Sequence, residues 1–273
     1  MRFTKMHGAG NDFVVLDRRD GSPLPPRHEL AHMADRHTGI GCDQLMILTP
    51  AQRPGSVAGY RIVNQDGSDA GQCGNGARCL AAWLHRDGAL QREGVLDSPA
   101  GPVFARVLDE GFEVSLSAPR FDAPSIPMTG VSSDESGHRL RVGDCDVRFG
   151  AVSMGNPHVV IEVDEITAAP VELAATLQSH PAFPGGCNVG FVQRVTRAHL
   201  RLRVIERGVG ETLACGSGAC AAHAWLHHQG RVDEHTAIDL PGGRLGATWA
   251  GGREEPVRLS GPATFVFEGT WNS

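Results

Sequence analysis

The sequence predicts an α+β fold, rich in sheet and divided into two half-alike domains. Three observations carry this. The pentapeptide Cys73-Gly74-Asn75-Gly76-Ala77 returns as Cys215-Gly216-Ser217-Gly218-Ala219, identical at four of five positions. The surroundings repeat with it: a β-type run ends nine residues before each cysteine, at Asn64 and Glu206, and a helical pattern stops fifteen residues after it, at Gly88 and Gly230. Chance in a Gly- and Ala-rich chain does not explain matched flanks, and internal self-similarity marks a repeated structural unit. Finally, β-type runs outnumber helical patterns, and 273 residues are enough for two domains of ordinary size.

In chain order, the apolar run Phe13–Leu16 reads as a strand, His28–Arg36 as a helix and Tyr60–Asn64 as a strand. Ala77–Arg86 follows the first cysteine as a helix, with Ala77, Leu80, Ala81 and Leu84 spaced i, i+3, i+4, i+7. Gly88 sits where a helix C′ residue belongs. Val103–Leu108 and Phe112–Leu116 close the first half as strands. The polar, Pro- and Ser-containing stretch from Ala118 to His138 holds the expected boundary, giving halves 1–118 and 119–261. The second half reads as strands Val159–Val163, Val189–Gln193 and Leu200–Glu206, with a helix at Val171–Ser179. The helix Ala219–Gln229 presents Ala219, Ala222 and Leu226 on one stripe before Gly230. Strands Thr236–Leu240, Leu245–Trp249 and Thr264–Glu268 complete the chain.

Composition removes several function classes. A formal net charge of −6 leaves no electrostatic footprint for nucleic acid, and there is no polybasic membrane patch. No run approaches the ~20 apolar residues of a membrane helix. The start, Met1 to His7, has no apolar signal-peptide core, so a soluble cytoplasmic protein is expected. Lys5 is the only lysine among 25 basic residues. That excludes a phosphate-binding Gly-x4-Gly-Lys loop and leaves Lys5 alone as a Schiff-base candidate, which argues against pyridoxal chemistry. Seven cysteines without a Cys-x2-Cys pair suit neither a disulfide scaffold nor a structural zinc site, so no metal is expected. Cys42, Cys79, Cys145, Cys187 and Cys220 are expected to be buried structural thiols.

Cys73 and Cys215 are different, because each precedes a Gly-x-Gly step into a helix. The first helical turn has unpaired N–H groups and a positive dipole end, and glycine lets a ligand approach them. Such a place binds an anion such as a carboxylate and lowers a thiol pKa. If the domains face one another across a cleft, a carboxylate sits between the helix starts and its α-carbon between two sulfurs. That geometry moves a proton from one face of a carbon to the other, one cysteine acting as thiolate and the other as thiol. A redox pair, or a hydrolytic nucleophile with His158 as base, remains open at this point, although neither explains a second matching cysteine.

Seven segments form a set: His7-Gly-Ala-Gly-Asn-Asp-Phe13, Gly39-Ile-Gly-Cys-Asp-Gln44, Asn64-Gln-Asp-Gly-Ser68, Cys73-Gly-Asn-Gly-Ala-Arg78, Met154-Gly-Asn-Pro-His158, Asn188-Val-Gly-Phe-Val-Gln193, and Glu206 through Cys220. In this order they closely resemble the diaminopimelate epimerase family, pyridoxal-independent enzymes of bacterial lysine and peptidoglycan-precursor synthesis. The resemblance implies two pseudo-symmetric domains, each a mixed, barrel-like sheet wrapped around a central helix, with the active site in the cleft between them. It also implies a last strand, about 262–273, that returns to the first domain. It implies conversion of LL- to meso-diaminopimelate without cofactor or metal. Cys73 and Cys215 fall on the family's proton-transfer cysteines. His158 and Glu206 fall on the residues that set their ionisation. Asn11, Gln44, Asn64, Asn156, Asn188, Glu206 and Arg207, with backbone positions Gly74, Asn75, Gly216 and Ser217, fall on substrate contacts. The expected partner is a small molecule, with neither nucleic acid nor membrane, and a homodimer stays open.

Two look-alike patterns are set aside. Gly8-Ala9-Gly10 is followed by Phe13 where a dinucleotide fingerprint needs glycine. His223 and His227 have i, i+4 spacing without the metalloprotease glutamate and are expected on a solvated helix face. Gln65 and Gln72 depart from the family's usual small and apolar residues beside the substrate loop and the first cysteine. Rival readings are a proline or hydroxyproline racemase, which has no use for the far-end amides, a dehydratase or isomerase of the same fold, which replaces one cysteine, and an amino-acid-binding protein, which leaves both thiols idle.

Overall fold

The computed structural model of the chain describes residues 1–134, 137–143 and 145–272. Glu135 and Ser136 of the expected boundary stretch, Asp144 of the expected second half and Ser273 at the end of the expected returning strand lie outside the described residues. The fold is mixed α+β, with four α-helices among the described residues. The chain divides into two compact units: Met1–Ser115 together with the chain from Ser260 onward, and Leu116–Leu259.

In the first unit, β1 (Arg2–Gly8) and β2 (Asn11–Asp17) form a hairpin. Gly8 pairs with Asn11, so Ala9 and Gly10 alone make the turn, at φ +52° and +87°. Two positive φ values give the turn whose twist matches paired strands. For Ala9 this backbone is strained. Helix α1 (Arg27–Ala34) crosses to β3 (Gln44–Thr49), parallel to β2. β4 (Ser56–Asn64) runs antiparallel to β3, and the short β5 (Asp69–Ala70) pairs with the end of β4. Helix α2 (Gly74–Arg86) leads to β6 (Glu93–Ser98), parallel to the start of β4, then to β7 (Gly101–Val107) and β8 (Phe112–Ser115) in a meander.

The second unit opens with β9 (Ser132–Asp134) and β10 (Gly137–Val142) and then repeats that order. β11 (Cys145–Ser153) pairs antiparallel with β12 (Pro157–Glu162), and α3 (Glu172–Gln178) crosses to β13 (Asn188–Thr196), parallel to β12. β14 (His199–Glu206) returns antiparallel and takes the short β15 (Gly210–Thr212) at its end. Helix α4 (Gly216–His228) precedes β16 (His235–Leu240), parallel to the start of β14, and β17 (Gly243–Thr248). The chain then runs through β18 (Arg258–Gly261), and β19 (Thr264–Thr270) lies antiparallel to β1 in the first unit. The Met1 amine donates to the Trp271 carbonyl at 2.6 Å, which ties the residue before β1 to the segment after β19.

Each unit wraps its sheet around one helix. α2 packs against β1, β2, β3, β7 and β8, and α4 against β11, β12, β13 and β17. Both helices are buried far beyond the single stripe that the spacing predicts. From Gly74 to Ala82 every residue of α2 is buried, as are Gly218 to Ala224 in α4. Small side chains permit this: a Cβ on Gly76 would stand 2.6 Å from Met46 Sδ on β3, and one on Gly218 would stand 2.9 Å from a Val204 methyl on β14. The helices end as expected, with Gly88 and Gly230 at φ +83° and +66°.

Two expectations are corrected. His223 is no solvated residue; it is fully buried in α4 and shares a 2.9 Å hydrogen bond with the Thr236 hydroxyl. Cys145 is exposed, whereas Cys42, Cys79, Cys187 and Cys220 are buried. Burial pushes the thiols of Cys42, Cys79 and Cys187 up to about 12, so they stay neutral.

Candidate active site

The repeated topology delivers the candidate residues to the same edge of each unit. In the first unit, Asn11 begins β2, Gln44 begins β3, Asn64 ends β4, and Cys73 caps α2. In the second, His158 and Asn188 lie at the starts of β12 and β13, Glu206 ends β14, and Cys215 caps α4. Both helices begin three residues before the positions expected from sequence, at Gly74 and Gly216, so the cysteines are the cap residues themselves.

In the first set, the extended backbone of Cys73 turns its Sγ back onto the helix start, where it accepts from the Gly76 N–H at 3.4 Å. The thiol approaches Asn11 Oδ1 at 3.9 Å, and Asn75 Nδ2 donates to the same oxygen at 3.2 Å. The tight Ala9-Gly10 turn places Asn11 there. Gln44 and Asn64 face each other across β3 and β4, with Gln44 Nε2 donating to Asn64 Oδ1 at 2.9 Å. Asn64 Nδ2 donates in turn to Ser68 Oγ at 3.0 Å.

Behind this set stand residues that the motifs contain but sequence reasoning left unassigned. Asp43 accepts from Asn11 Nδ2 at 2.7 Å and so orients its amide. Arg78, fully buried in α2, donates to Asn75 Oδ1 at 2.9 Å. Asp12 takes two hydrogen bonds from Arg36 and one from Lys5, which also donates to the Gly41 carbonyl. Burial works against the Asp12 charge, yet Arg36 and Lys5 outweigh it and bring its pKa down to about 2. The signal that could have found Asp43 was its place inside the Gly39–Gln44 segment.

In the second set, Cys215 is buried, with Sγ 3.6 Å from Ser217 Oγ. Its pKa rises well above the ordinary thiol value, first through burial and then through the Glu206 carboxylate; Ser217 and the Gly218 N–H pull weakly the other way. The expected lowering at a helix start is therefore overturned here: desolvation beside an anion outweighs the helix end. Glu206 is held by the Thr212 hydroxyl at 2.7 Å, a partner the sequence did not reveal. His158 is buried and paired in register with Asn188, and its Nε2 lies 3.0 Å from Asn156 Oδ1. Burial pushes His158 down to about 3, so at neutral pH it is an uncharged imidazole. Asn188 bridges its neighbours: Nδ2 donates to the Pro157 carbonyl at 3.2 Å, and Oδ1 accepts from the Arg207 N–H at 3.0 Å. The Arg207 guanidinium rests on the Gly185 carbonyl.

Among the described residues, no cluster of three or more His, Cys, Asp or Glu side chains is placed to hold a metal ion, and no helix is long and apolar enough to cross a membrane. What each set offers is a thiol at a helix start, the first-turn backbone beside it, and fixed amides: groups that bind a carboxylate and move a proton at a neighbouring carbon.

Comparison with known proteins agrees with these features. The family model for diaminopimelate epimerase matches residues 3–121 and 150–266. The chain is 54% identical over 275 residues to the diaminopimelate epimerase of Xanthomonas euvesicatoria, covering all of this chain and 96% of that one. It is 52% identical over 276 residues to the one from Xylella fastidiosa, covering 99% and 96%. Among solved structures, a hydroxyproline epimerase from Agrobacterium vitis, with bound trans-4-hydroxy-L-proline, superposes with a TM-score of 0.70 over 98% of this chain and 91% of that one. Its 18% identity carries the likeness in fold alone. With the match running through both halves and both cysteine-capped helices, the chain belongs to the diaminopimelate epimerase family.

Proposed function

We propose that this chain is an isomerase that converts LL-2,6-diaminopimelate to the meso form by moving one α-proton between two thiols, without a cofactor. The observation that carries the reading is the pair of helices capped by Cys73 and Cys215 in a family-matched chain. The α-carboxylate is held by the N–H groups of Gly74, Asn75, Gly216 and Ser217, which also take up the charge that develops as the α C–H bond breaks. One sulfur removes the proton as thiolate; the electron pair left on carbon is delocalised into the carboxylate until the other thiol delivers a proton to the opposite face. Burial and Glu206 keep Cys215 protonated at rest, which makes Cys215 the donor and Cys73 the base in the direction that starts from this state. The reverse reaction exchanges the roles. His158, an uncharged imidazole, and Glu206 help set the ionisation of the two thiols. Asn11, Gln44, Asn64, Asn156, Asn188 and Arg207 grip the substrate, and a site committed to those bonds rejects an amino acid lacking the far end.

The enzyme would work in the cytoplasm, supplying lysine and peptidoglycan precursors. A homodimer is also proposed: β19 exposes the apolar side chains of Val266 and Phe267, at 54% and 48%, and exposed apolar surface suits burial against a second copy. Sedimentation that returns only monomer would dismiss it.

The deciding experiment is incubation of reduced protein with LL-diaminopimelate in deuterium oxide, read by NMR, beside Cys73→Ser and Cys215→Ser. Deuterium at one α-carbon with meso product, lost in both variants, is expected. Exchange with hydroxyproline instead would keep the chemistry and overturn the substrate. No exchange with any amino acid would reject an epimerase.

A further inference from the structure

A polar pocket lies within the first unit, lined by residues that neither the motifs nor the proposed reaction use. Its cause is topological. On one side of β4, β6 pairs only as far as Gly59, opposite Asp97, and β5 pairs only from Ile62 onward. Tyr60 and Arg61 fall between them, where that side of β4 has no strand. With the sheet open at this point, side chains from both of its faces border a cavity of about 370 Å³, within the size range of small-molecule sites. Gln52, Arg53, Tyr60, Arg61, Asp69 and Ser98 line it.

The lining is rich in donors. Tyr60 is only 2% exposed, and its hydroxyl has no partner in hydrogen-bond geometry. Burial drives its pKa up, with nearby Ser98 pulling the other way, so it is a neutral phenol. The Ser98 hydroxyl already donates to the Gly101 carbonyl and accepts from the Ala100 N–H. Leaving a buried hydroxyl unmet is costly, and a native fold keeps few such groups. Two guanidinium-bearing residues line the same pocket: Arg61 reaches Asp69 at 2.7 Å, and Arg53 stands 3.7 Å from Asp97. Asp97 is otherwise engaged by the Gln52 and Arg53 N–H groups and the Ser56 hydroxyl, which leaves Arg53 with unused donors.

The repeat supplies an internal control. In the second unit, β16 pairs with β14 as far as Arg201, opposite Asp239, and β15 begins at Val204, so the same opening falls at Leu202 and Arg203. There Arg203 is closed onto Glu211 by two hydrogen bonds, where Arg61 is bonded to Asp69 by one, and Asp239 matches Asp97. The difference is Leu202, which puts an apolar side chain where the first unit puts the Tyr60 hydroxyl. The donor is thus an addition to one copy of a shared scaffold, not a requirement of the scaffold.

We propose that this pocket binds a small oxyanion, a carboxylate or phosphate group, between the guanidiniums of Arg53 and Arg61 and the Tyr60 hydroxyl. The anion completes the phenol's hydrogen bond and takes fork-shaped contacts from arginine.

Isothermal titration of the intact protein with inorganic phosphate, and separately with succinate, tests this. The expected result is saturable one-site binding of at least one probe, weakened about tenfold in both Tyr60→Phe and Arg61→Gln and unchanged in Arg203→Gln, the loss of one hydrogen bond being worth about that factor. The half-exposed Arg61→Gln serves if Tyr60→Phe folds poorly. Phosphate alone or succinate alone assigns the class of anion. Binding that survives both substitutions belongs to the helix starts and overturns the proposal, as does no saturation up to about 10 mM of either probe.

Discussion

Glu206 and Lys5 show how much a single charged neighbour decides here. Because burial and Glu206 both favour the protonated Cys215 thiol, Glu206→Gln should raise its thiolate fraction. Several-fold faster iodoacetamide labelling of Cys215 at pH 8, read by peptide mapping, is the expected outcome; an unchanged rate would leave burial as the sole cause. Lys5 is a different case. Its rarity draws notice in the sequence only as a Schiff-base candidate, yet folded it is buried and bonded to Asp12 and the Gly41 carbonyl, in the layer that fixes Asn11 through Asp43. Lys5→Met leaves Asp12 with Arg36 as its one charged partner, beside the Asp43 N–H, and should cost about 3 kcal/mol in urea denaturation, the usual scale for breaking a mostly buried pair. The cysteines and amides of the candidate site were legible because they recur in ordered motifs. Asp12, Arg36 and Thr212 were not, because their work depends on distant partners that no local pattern announces.

The helices illustrate the same division at the level of elements. Both were expected to begin at alanine, since Gly-x-Gly has poor helix propensity. Packing overrides propensity: Gly76 and Gly218 are where the helices press closest on Met46 and Val204. Gly218→Ala should therefore destabilise by about 1–2 kcal/mol in spite of alanine's better propensity, since a branched valine yields little. Gly76→Ala should cost less, because the end of Met46 can swing aside. Comparison of the two urea midpoints checks the order. Strands with steady alternation or apolar runs were readable, whereas β3 hid behind the Gly-rich loop before it, and β10 and β11 behind their many charged residues. Pairing with neighbours, not intrinsic pattern, makes those segments strands.

For the whole molecule, acid is the revealing variable. His158 and His223 are both buried with pKa values pushed down to about 3. Between pH 6.5 and 3 the unfolded chain binds protons at both positions that the folded chain refuses, so stability rises with pH through that window and levels off above it. Each histidine contributes up to about 1.4 kcal/mol per pH unit. His223→Gln should remove one share of that slope from urea midpoints measured between pH 4 and 7; an unaltered slope would mean that His223 is protonated in the fold. Asp12 adds a further loss only as pH falls from 3.8 towards 2. The hydrogen bond from the Met1 amine to Trp271 has its own consequence. Because Met1 and Trp271 touch, the first unit, interrupted in sequence by Leu116–Leu259, closes on itself: the segment that follows the second unit completes the sheet that β1 begins. A circular permutant that joins Trp271 to Met1 through a short linker and opens the chain before Leu116 would make both units contiguous. It should reach the same native structure, with the second unit still ahead of the first in chain order and the first now following as one uninterrupted piece, no longer held open for its closing strand.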